Sequence, residues 1–384
     1  MIGEHVEILS GYAFNSKEFN TNEEGIPLVR IRDVGKIRSK TYYTGKYSNK
    51  YILENGDFLI GMDGDFRLAI WNGGKALLNQ RVCKITPNES VFNSGYMYYM
   101  LPKELKRIED TTSFATVKHL SVKKIKDIKI PLPSLDQQKK IAAILDAADA
   151  YRQKTKALIE KYDELKQSLF LNMFGDPVSN PKGWDKKTLV DIVSSEQYSL
   201  KRGPFGGSLK KEIFKETGYK VYEQKNAIKK NVKVGKYFID EIKYNEMKAF
   251  NVNPGDFIVS CSGTIGEIFQ IPVGAPEGII NQALMKIKIN EELLLPNFFE
   301  SLFTYYIKDN IFISGSKGSG LKNVSSMKII KAERFIVPSI EYQKKYVDLK
   351  LNLKKQKAQA QAGLAQAEDL FNSLLQRAFK GELV

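Results

Sequence analysis

The residues of this chain whose types could do chemistry are mostly cations. Between positions 201 and 236 the sequence holds eleven lysine and arginine residues against three glutamates. Gly203, Gly206 and Gly207 in the same stretch allow a close approach of the backbone, and Ser208 can donate a hydrogen bond. Phosphate groups are bound by such a mixture of cations and backbone donors. The stretch therefore predicts an anionic partner.

The overall charge supports this interpretation. The 384 residues carry 59 Lys and Arg against 44 Asp and Glu, a net charge of +15. Such an excess favours nucleic acid as the partner, with a solvated lysine-rich surface as the alternative. The sequence has two cysteines, no signal-peptide pattern at its start and no apolar run of membrane-spanning length. We therefore expect a cytoplasmic protein without disulfides.

No convincing catalytic or metal-binding pattern accompanies the cations. His5 and His119, with two distant cysteines, cannot form a metal cluster. Asp63-Gly64-Asp65 lacks the further ligands of a calcium loop, and the glycine-rich stretch 315–322 lacks the Gly-Lys-Ser/Thr ending of a phosphate loop. We expect a chain that is not an enzyme and that holds no metal or cofactor.

Three groups of residues are candidate contacts to DNA. One is the basic stretch with its counterpart near the N-terminus, another is the turn after each of two Gly-Asp-Phe strands, and the third is the loop 314–322. For any single residue, an ordinary polar turn is the alternative. The candidates are Ser10, Tyr12, Asn15, Lys17, Arg30, Arg32, Asp63, Asp65, Arg67, Lys118, Lys201, Arg202, Ser208, Lys210, Lys211, Tyr222, Lys225, Ser262, Thr264, Lys317 and Lys322.

The elements that must position these residues occur twice in the chain. The stretch 133–174 reappears as 338–379 at a constant offset of 205, without a gap. Because loops accept insertions and helices do not, an ungapped match of this length predicts one long helix in each copy. Ser134 and Ser339, each after a proline, are the predicted N-caps. At 1.5 Å per residue, roughly forty residues make a rod of about 60 Å.

Both predicted helices carry apolar or small residues at heptad spacing, which indicates a coiled-coil seam. The first seam is bulky in its middle and the second is small there, so the two helices suit each other as an intramolecular antiparallel pair. Parallel pairing and pairing with another protein are the alternatives. The predicted seam consists of Ile141, Ile144, Ala148, Tyr151, Thr155, Leu158, Tyr162, Leu165 and Leu169 in the first helix, and of Tyr346, Leu349, Leu353, Gln356, Ala360, Gly363, Ala367, Leu370 and Leu374 in the second.

A weaker repetition precedes each helix. Gly56-Asp57-Phe58 matches Gly255-Asp256-Phe257, and Leu78-Asn79-Gln80 matches Ile280-Asn281-Gln282. The offset grows by small steps, as expected for two globular segments that share a fold but differ in their loops. Both segments are predicted to be mixed α/β. The predicted organisation is a globular segment at 1–132, a long helix at 133–175, a second globular segment at 176–337 and a second long helix at 338–384.

Several of these stretches resemble the DNA-specificity subunit of type I restriction-modification systems. They are the helix starts PSLDQQKKIAAIL and PSIEYQKKYVDLK, the stretch KRGPFGGSLKKEIF, and TVKHLSVKKIKDIKIPLP running into the first helix. The resemblance covers nearly the whole chain. It implies two target-recognition domains of mixed α/β fold, held apart by an antiparallel pair of helices, that each read one half of a bipartite, asymmetric DNA site.

The resemblance also implies partners. These are two adenine-methyltransferase subunits, which use S-adenosylmethionine, and motor-nuclease subunits, which use ATP and magnesium. The chain would then direct the chemistry of other subunits. Two alternatives remain at this point: the recognition portion of a DNA-modifying or DNA-cleaving enzyme with an unrecognised active site, and a structural coiled-coil adaptor.

Overall fold

The chain divides into two compact units. The computed structural model describes residues 1–112, 118–308, 313–314, 323–324 and 326–384. The first unit comprises Met1–Leu158 with Ala360–Val384, and the second comprises Ile159–Gln359. Each unit extends beyond the predicted globular segment, 1–132 or 176–337, because it includes part of both long helices.

The first unit is built on two sheets. One has the strand order β1-β9-β6-β7 and is antiparallel, and the other has the order β2-β4-β3-β8-β5, in which β3 and β8 are parallel. The elements are β1 Val6–Ser10, β2 Phe19–Asn20, β3 Ile26–Val29, β4 Tyr42–Tyr43, β5 Ile52–Leu53, β6 Phe58–Gly61, β7 Leu68–Ile70, β8 Ala76–Leu78, β9 Val82–Pro87, α1 Ser94–Thr111 and α2 Val122–Lys126, followed by the long helix α3 Leu135–Phe174.

The second unit repeats this topology, except that the edge strand β2 has no counterpart. Its antiparallel sheet has the order β11-β18-β15-β16, and its other main sheet has the order β13-β12-β17-β14, with β12 and β17 parallel. The elements are β10 Lys186–Thr188, α4 Leu189–Ile192, β11 Leu200–Arg202, β12 Tyr219–Tyr222, α5 Gln224–Ile228, β13 Phe238–Ile239, α6 Glu241–Glu246, β14 Asn251–Val252, β15 Phe257–Ser260, β16 Ile268–Gln270, β17 Gly278–Ile280, β18 Leu284–Ile287, α7 Pro296–Lys308, β19 Ile313–Ser314, β20 Asn323–Val324, α8 Met327–Ala332, β21 Arg334–Ile336 and α9 Ile340–Lys380. The predicted mixed α/β class is confirmed for both units.

A buried glutamine explains why the helix starts are repeated. In the first unit, Gln138 accepts a hydrogen bond from Asn93 N and donates to Val91 O and Pro133 O, each at 2.9 Å. In the second unit, Gln343 accepts from Leu295 N and donates to Leu293 O and Pro338 O, each at 2.8 Å. Both side chains are buried. One amide therefore satisfies three backbone groups and fixes each long helix to the loop before α1 or α7.

The repeated Gly-Asp-Phe segment also has a structural role. The carboxylate of Asp57 accepts a hydrogen bond from Glu54 N, and that of Asp256 accepts one from Asn253 N, each at 2.9 Å. Both aspartates thus close the turn that leads into the central strand, β6 or β15. Lys84 on β9 forms an ion pair of 2.7 Å with Asp57. In the second unit, burial raises the pKa of Asp256 and lowers that of Lys286 at the matching position.

The apolar core of each unit includes residues from both long helices. In the first unit, Ile60, Cys83 and Tyr96 form one cluster with Ile141 of α3 and Phe371 of α9. In the second unit, the cluster contains Phe257, Met285 and Phe299 with Phe170 of α3 and Tyr346 of α9. The helix parts are therefore integral to the compact units, and their burial supplies most of the stability that such long helices need.

The helices are as long and regular as predicted, and both serine caps are confirmed. The hydroxyls of Ser134 and Ser339 accept hydrogen bonds from Gln137 N and Tyr342 N at 3.4 Å. The heptad period is also correct, and one predicted row is buried or half-buried. That row consists of Ile141, Ala148, Thr155, Tyr162 and Leu169 in α3, and of Tyr346, Leu353, Ala360, Ala367 and Leu374 in α9.

Most of the second predicted row is exposed, and for its exposed members this part of the prediction is wrong. Tyr151, Leu158, Leu165, Leu349 and Leu370 are 44–58% exposed, Gln356 is also exposed, and Ile144 and Gly363 are half-buried. Except for Lys166 after Leu165, which is exposed, the residues that follow them face inward, namely Leu145, Arg152 and Ile159 in α3 and Lys350, Lys357, Leu364 and Phe371 in α9. Because several of these are cations whose stems lie along apolar surface, the inward row looks polar in the sequence.

Candidate nucleic-acid interface

The two units present different side chains from the same hairpin turn. The turn between β6 and β7 carries Asp63 and Asp65, and the turn between β15 and β16 carries Ser262 and Thr264. Gly64 and Gly263 occupy the same place in each turn, with φ values of 71° and 64°. The equal strand order and register put these predicted residues at equivalent positions, as the sequence repetition indicates.

In the first unit this turn forms one wall of a cleft of about 360 Å³. The cleft brings together the predicted residues Arg32, Asp63, Asp65 and Arg67, and it adds Arg81. The carboxylate of Asp63 is 12% exposed and is bound on both oxygens, by Nη1 of Arg81 and by Nδ1 of His119, each at 2.6 Å. Asp63 therefore holds its neighbours in place and is not an open acceptor.

The other cations of the first unit differ in how firmly they are held. Arg67 pairs with Asp65 at 2.6 Å, but both side chains are about 60% exposed, so the pair is weakly constrained. Nη2 of Arg32 donates to Thr41 Oγ1 at 2.9 Å, and Arg30 is half-buried over the ring of Phe19. Lys118 donates to Glu109 O at 2.5 Å, near the end of α1. All of these except Lys118 remain candidate contacts.

Close backbone packing shapes the loop after β1 and the loop after β11. A Cβ added to Gly11 would lie 2.0 Å from Asn79 O, and one added to Gly203 would lie 1.8 Å from Asn281 O. Glycine is therefore required at both positions, and each loop is held against the repeated Asn-Gln pair. Ser10, Tyr12, Asn15 and Lys17 on or beside the first loop are exposed, as predicted for a binding surface.

In the second unit the corresponding loop lies beside a cleft of about 510 Å³. The cleft contains the predicted Lys201 and Arg202, together with Phe205, Gln282 and Lys331. Nζ of Lys201 lies 5.2 Å from the ring centroids of both Tyr198 and Phe250. Phe205 is 93% exposed. The wall therefore combines three cations with an exposed aromatic ring, a combination that suits a nucleic acid.

The remaining predicted residues of the second unit differ in their exposure and in their partners. Ser208, Lys210 and Lys211 are exposed on the loop that follows the cleft. Lys225 pairs with Glu223 at 2.7 Å and stays 42% exposed. Lys317 and Lys322 lie outside the described residues.

Tyr222 is a correction. Its side chain is fully buried, and its hydroxyl donates to Pro276 O at 2.6 Å. Burial raises the pKa of Tyr222 to about 12. Lys220, part of the same basic stretch, is also buried, and burial lowers its pKa. Both belong to β12, whose alternating faces are covered on both sides, so a count of cations along the sequence overstates the basic surface.

The structure also adds residues that sequence reasoning missed. Arg81 follows the repeated Leu-Asn-Gln segment directly, and its counterpart is Ala283. Phe205 lies in the Gly-Pro-Phe-Gly-Gly loop of the basic stretch. A comparison of the residues that flank each repeated segment would have found Arg81, because a side chain that differs beside a shared frame suits a specificity role.

Comparison with known proteins agrees with this geometry. Residues 1–165 and 181–358 match the family described as the type I restriction modification DNA specificity domain. The chain belongs to this family. It is a specificity subunit of the type I restriction-modification class and, like the other specificity subunits, it is not an enzyme, as predicted.

Individual relatives support the assignment along the whole specificity subunit. The chain is 30% identical over 406 residues to the EcoBI specificity subunit of Escherichia coli, in an alignment that covers 98% of this chain and 84% of that protein. It is 24% identical over 275 residues to the MjaVIII specificity subunit of Methanocaldococcus jannaschii, covering 68% and 63%.

Solved structures show the same fold. The S subunit of the type I restriction-modification system from M. genitalium matches with a TM-score of 0.54 at 16% identity, covering 98% of this chain and 94% of that one. A chain from a study of complex assembly and conformational transition of the type I R-M system matches with a TM-score of 0.61 at 15% identity, covering 99% and 98%.

Over the described ranges, no helix is long and apolar enough to cross a membrane, and no group of three or more His, Cys, Asp and Glu residues could hold a metal ion. Cys83 and Cys261 are free and buried, and burial raises the pKa of each thiol to about 12. Neither thiol is suited to nucleophilic chemistry.

Proposed function

We propose that this specificity subunit binds double-stranded DNA and reads a bipartite, asymmetric site, with one half-site for each unit. The observation that carries the proposal is the pair of equivalent hairpin turns. One scaffold presents Asp65 and three arginines, one of them held by Asp63, and its copy presents Ser262 and Thr264. Donors and acceptors that differ at equivalent positions suit two different base sequences.

The long helices are proposed to act as the spacer between the half-sites. Within the first unit, Arg152 of α3 lies over the ring of Phe371 of α9, and Lys156 pairs with Glu368 at 3.2 Å. Within the second unit, Asp163 of α3 pairs with Lys357 of α9 at 2.5 Å, and the rings of Phe170 and Tyr346 are 5.6 Å apart. In each unit a later residue of α3 contacts an earlier residue of α9, which supports antiparallel pairing of the helix segments. A spacer of this kind leaves unread base pairs between the half-sites.

The same proposal assigns the catalysis to partners. The specificity subunit would direct two methyltransferase subunits, which bind S-adenosylmethionine, and restriction subunits, which use ATP and magnesium, to the DNA site in the cytoplasm. The chain itself contributes recognition and spacing, and the exposed apolar residues Tyr151 and Leu158 of α3 offer surface for helical partners.

DNA binding is tested by salt titration of the purified chain on a duplex. If about 6–10 phosphates are contacted, affinity should fall roughly 10³–10⁵-fold between about 50 and 200 mM salt. The double variant Lys210→Ala and Lys211→Ala should weaken binding to all sequences and reduce the salt slope by about 2. Lys354→Ala with Lys355→Ala, an equal change in charge on exposed residues of α9, is the control and should leave binding unchanged. A flat salt response would contradict the proposal.

Sequence recognition is tested in the cell. Deletion of the gene should abolish adenine methylation at one two-part motif, and the intact gene should restore it. Methylation that is unchanged by the deletion would show that this chain does not direct a methyltransferase.

A further inference from the structure

The strongest unexplained feature of the first unit is the arrangement of Asp63, Arg81 and His119, here called the Asp63 cluster. The carboxylate of Asp63 is 12% exposed, whereas the side chains of Arg81 and His119 are 62% and 63% exposed. A nearly buried acid thus holds two exposed donors from two other parts of the chain. Low exposure of the acid is shared by the Arg107–Glu104 pair, in which Glu104 is 15% exposed. The Asp63 cluster differs because its acid holds two donors, each from a distant segment of the chain.

The backbone at Arg81 is also fixed in an unusual conformation. Arg81 has a φ of 69°, in the left-handed region that non-glycine residues rarely adopt. Its carbonyl accepts a hydrogen bond from Met62 N at 2.9 Å, which ties it to the residue before Asp63. Main chain and side chain are therefore both anchored to the same hairpin turn. A strained conformation that its surroundings enforce is a common sign of a functional position.

The cluster leaves Arg81 able to bind a second group. Only Nη1 contacts Asp63, and a guanidinium has five N–H donors in a planar fork. The remaining donors belong to an exposed side chain that lines the cleft also formed by Arg32 and Arg67. A planar fork held in one orientation matches two acceptors side by side, as on the O6 and N7 edge of guanine.

The second unit lacks this arrangement. Ala283 stands at the position of Arg81, and Ser262 stands at the position of Asp63. The second unit therefore cannot make the contact that Arg81 makes, and its DNA contacts must come from other side chains. The difference lies on a frame that the two units otherwise share, where a structural ion pair would be expected in both.

We propose that Arg81 is a specificity-determining residue that contacts a guanine in the half-site of the first unit, and that Asp63 and His119 are positioning residues that orient its guanidinium. The inference rests on the proposed function, since it requires that the first unit binds a half-site. It goes further by assigning one base type to one side chain in one half of the motif.

The test compares variants in a strain that lacks the chromosomal gene. Arg81→Ala should make one G·C position of one half-site degenerate in the methylated motif and leave the other half-site unchanged. In competition binding with the purified full chain, discrimination against a duplex changed at that position should fall about tenfold to a hundredfold. Arg81→Lys, which keeps the charge without the fork, should lose most of this discrimination. Asp63→Asn should relax the same position to a smaller extent.

Arg107→Ala is the matched control. Arg107 is 66% exposed and pairs with Glu104 at 2.8 Å on α1, so it loses a comparable surface ion pair. It should change neither the motif nor the discrimination. An unchanged preference in Arg81→Ala would overturn the inference, as would a change in the other half-site. Equal weakening on all duplexes would make Arg81 a phosphate contact and would also overturn it. Failure of the unaltered chain to bind DNA or to direct methylation would instead refute the proposed function.

Discussion

Replacement of Gln343 by leucine tests the reason for the sequence repeat. The change keeps the approximate size of the side chain but removes its three hydrogen bonds, to Leu295 N, Leu293 O and Pro338 O. Because the site is fully buried, water cannot replace them. A buried polar group without a partner costs about 1–3 kcal/mol, so three such groups, at about 1.5–2 kcal/mol each, cost about 4.5–6 kcal/mol together. The added apolar burial offsets about 1–2 kcal/mol.

We therefore expect Gln343→Leu to lower the free energy of unfolding by about 3–5 kcal/mol. For a unit of this size, that corresponds to a fall in melting temperature of roughly 6–20 °C. The assay is urea unfolding followed by circular dichroism, together with hydrogen–deuterium exchange of the segment 291–299. The amide of Leu295 should exchange much faster in the variant, since it loses its acceptor.

The matched control is Gln356→Leu, the same substitution at an exposed position of α9. It should change stability by no more than about 0.5 kcal/mol. Gln138→Leu should reproduce the large effect in the first unit, where the same three types of contact are lost. If Gln343→Leu unfolds like the control and Leu295 stays protected, the glutamine does not hold the helix start, and the repeat needs another explanation.

Two more predictions follow from the packing and the buried acids. In urea unfolding, Phe371→Ala should lower the free energy of unfolding by about 3–5 kcal/mol, and Leu370→Ala should lower it by less than about 1 kcal/mol. The reason is that Phe371 is buried against Tyr99 and Arg152, whereas Leu370 is 55% exposed. Equal losses would show that Leu370 belongs to the helix contact, as the sequence predicted. Stability should also fall as pH rises above 9, since burial raises the pKa of Cys83 and Cys261 from 9.0 to about 12 and that of Tyr346 to about 12. Above pH 9 the unfolded chain loses protons that the folded chain retains, so this contribution to stability is fully present only below pH 9. A free energy of unfolding that stays constant from pH 8 to 11 would refute these pKa shifts.

Elements of this protein that depend on local pattern were predictable. The ungapped repeat predicted two long helices, and the structure begins them at Leu135 and Ile340, directly after the predicted serine caps. The Gly-Asp-Phe and Leu-Asn-Gln repeats located the equivalent strands and turns of the two units. Gly11 and Gly203 also occupy equivalent positions in the two units, because at both of them the backbone packs too closely for any side chain.

The sequence predictions were wrong where they depended on which side chains are exposed to solvent. The apolar residues Tyr151 and Leu370 fit the heptad but are exposed, whereas the cationic Lys350 and Lys357 face inward. Lys350 lies there because Glu300 pairs with it at 3.2 Å and Ser301 accepts from it at 2.9 Å. Such partners are distant in sequence, so no helical pattern contains them. The loss of Tyr222 from the candidate interface has the same origin.

The sequence by itself determined the two-fold organisation, the long helices and the basic character of the chain, because repetition, capping and charge are properties of consecutive residues. Tertiary structure alone decided which cations reach a surface and which polar groups are held together. Asp63, Arg81 and His119 come from three separate segments, and folding brings the side-chain nitrogens of Arg81 and His119 each to 2.6 Å from the carboxylate of Asp63. Specific recognition depends on such distances, which chain folding fixes.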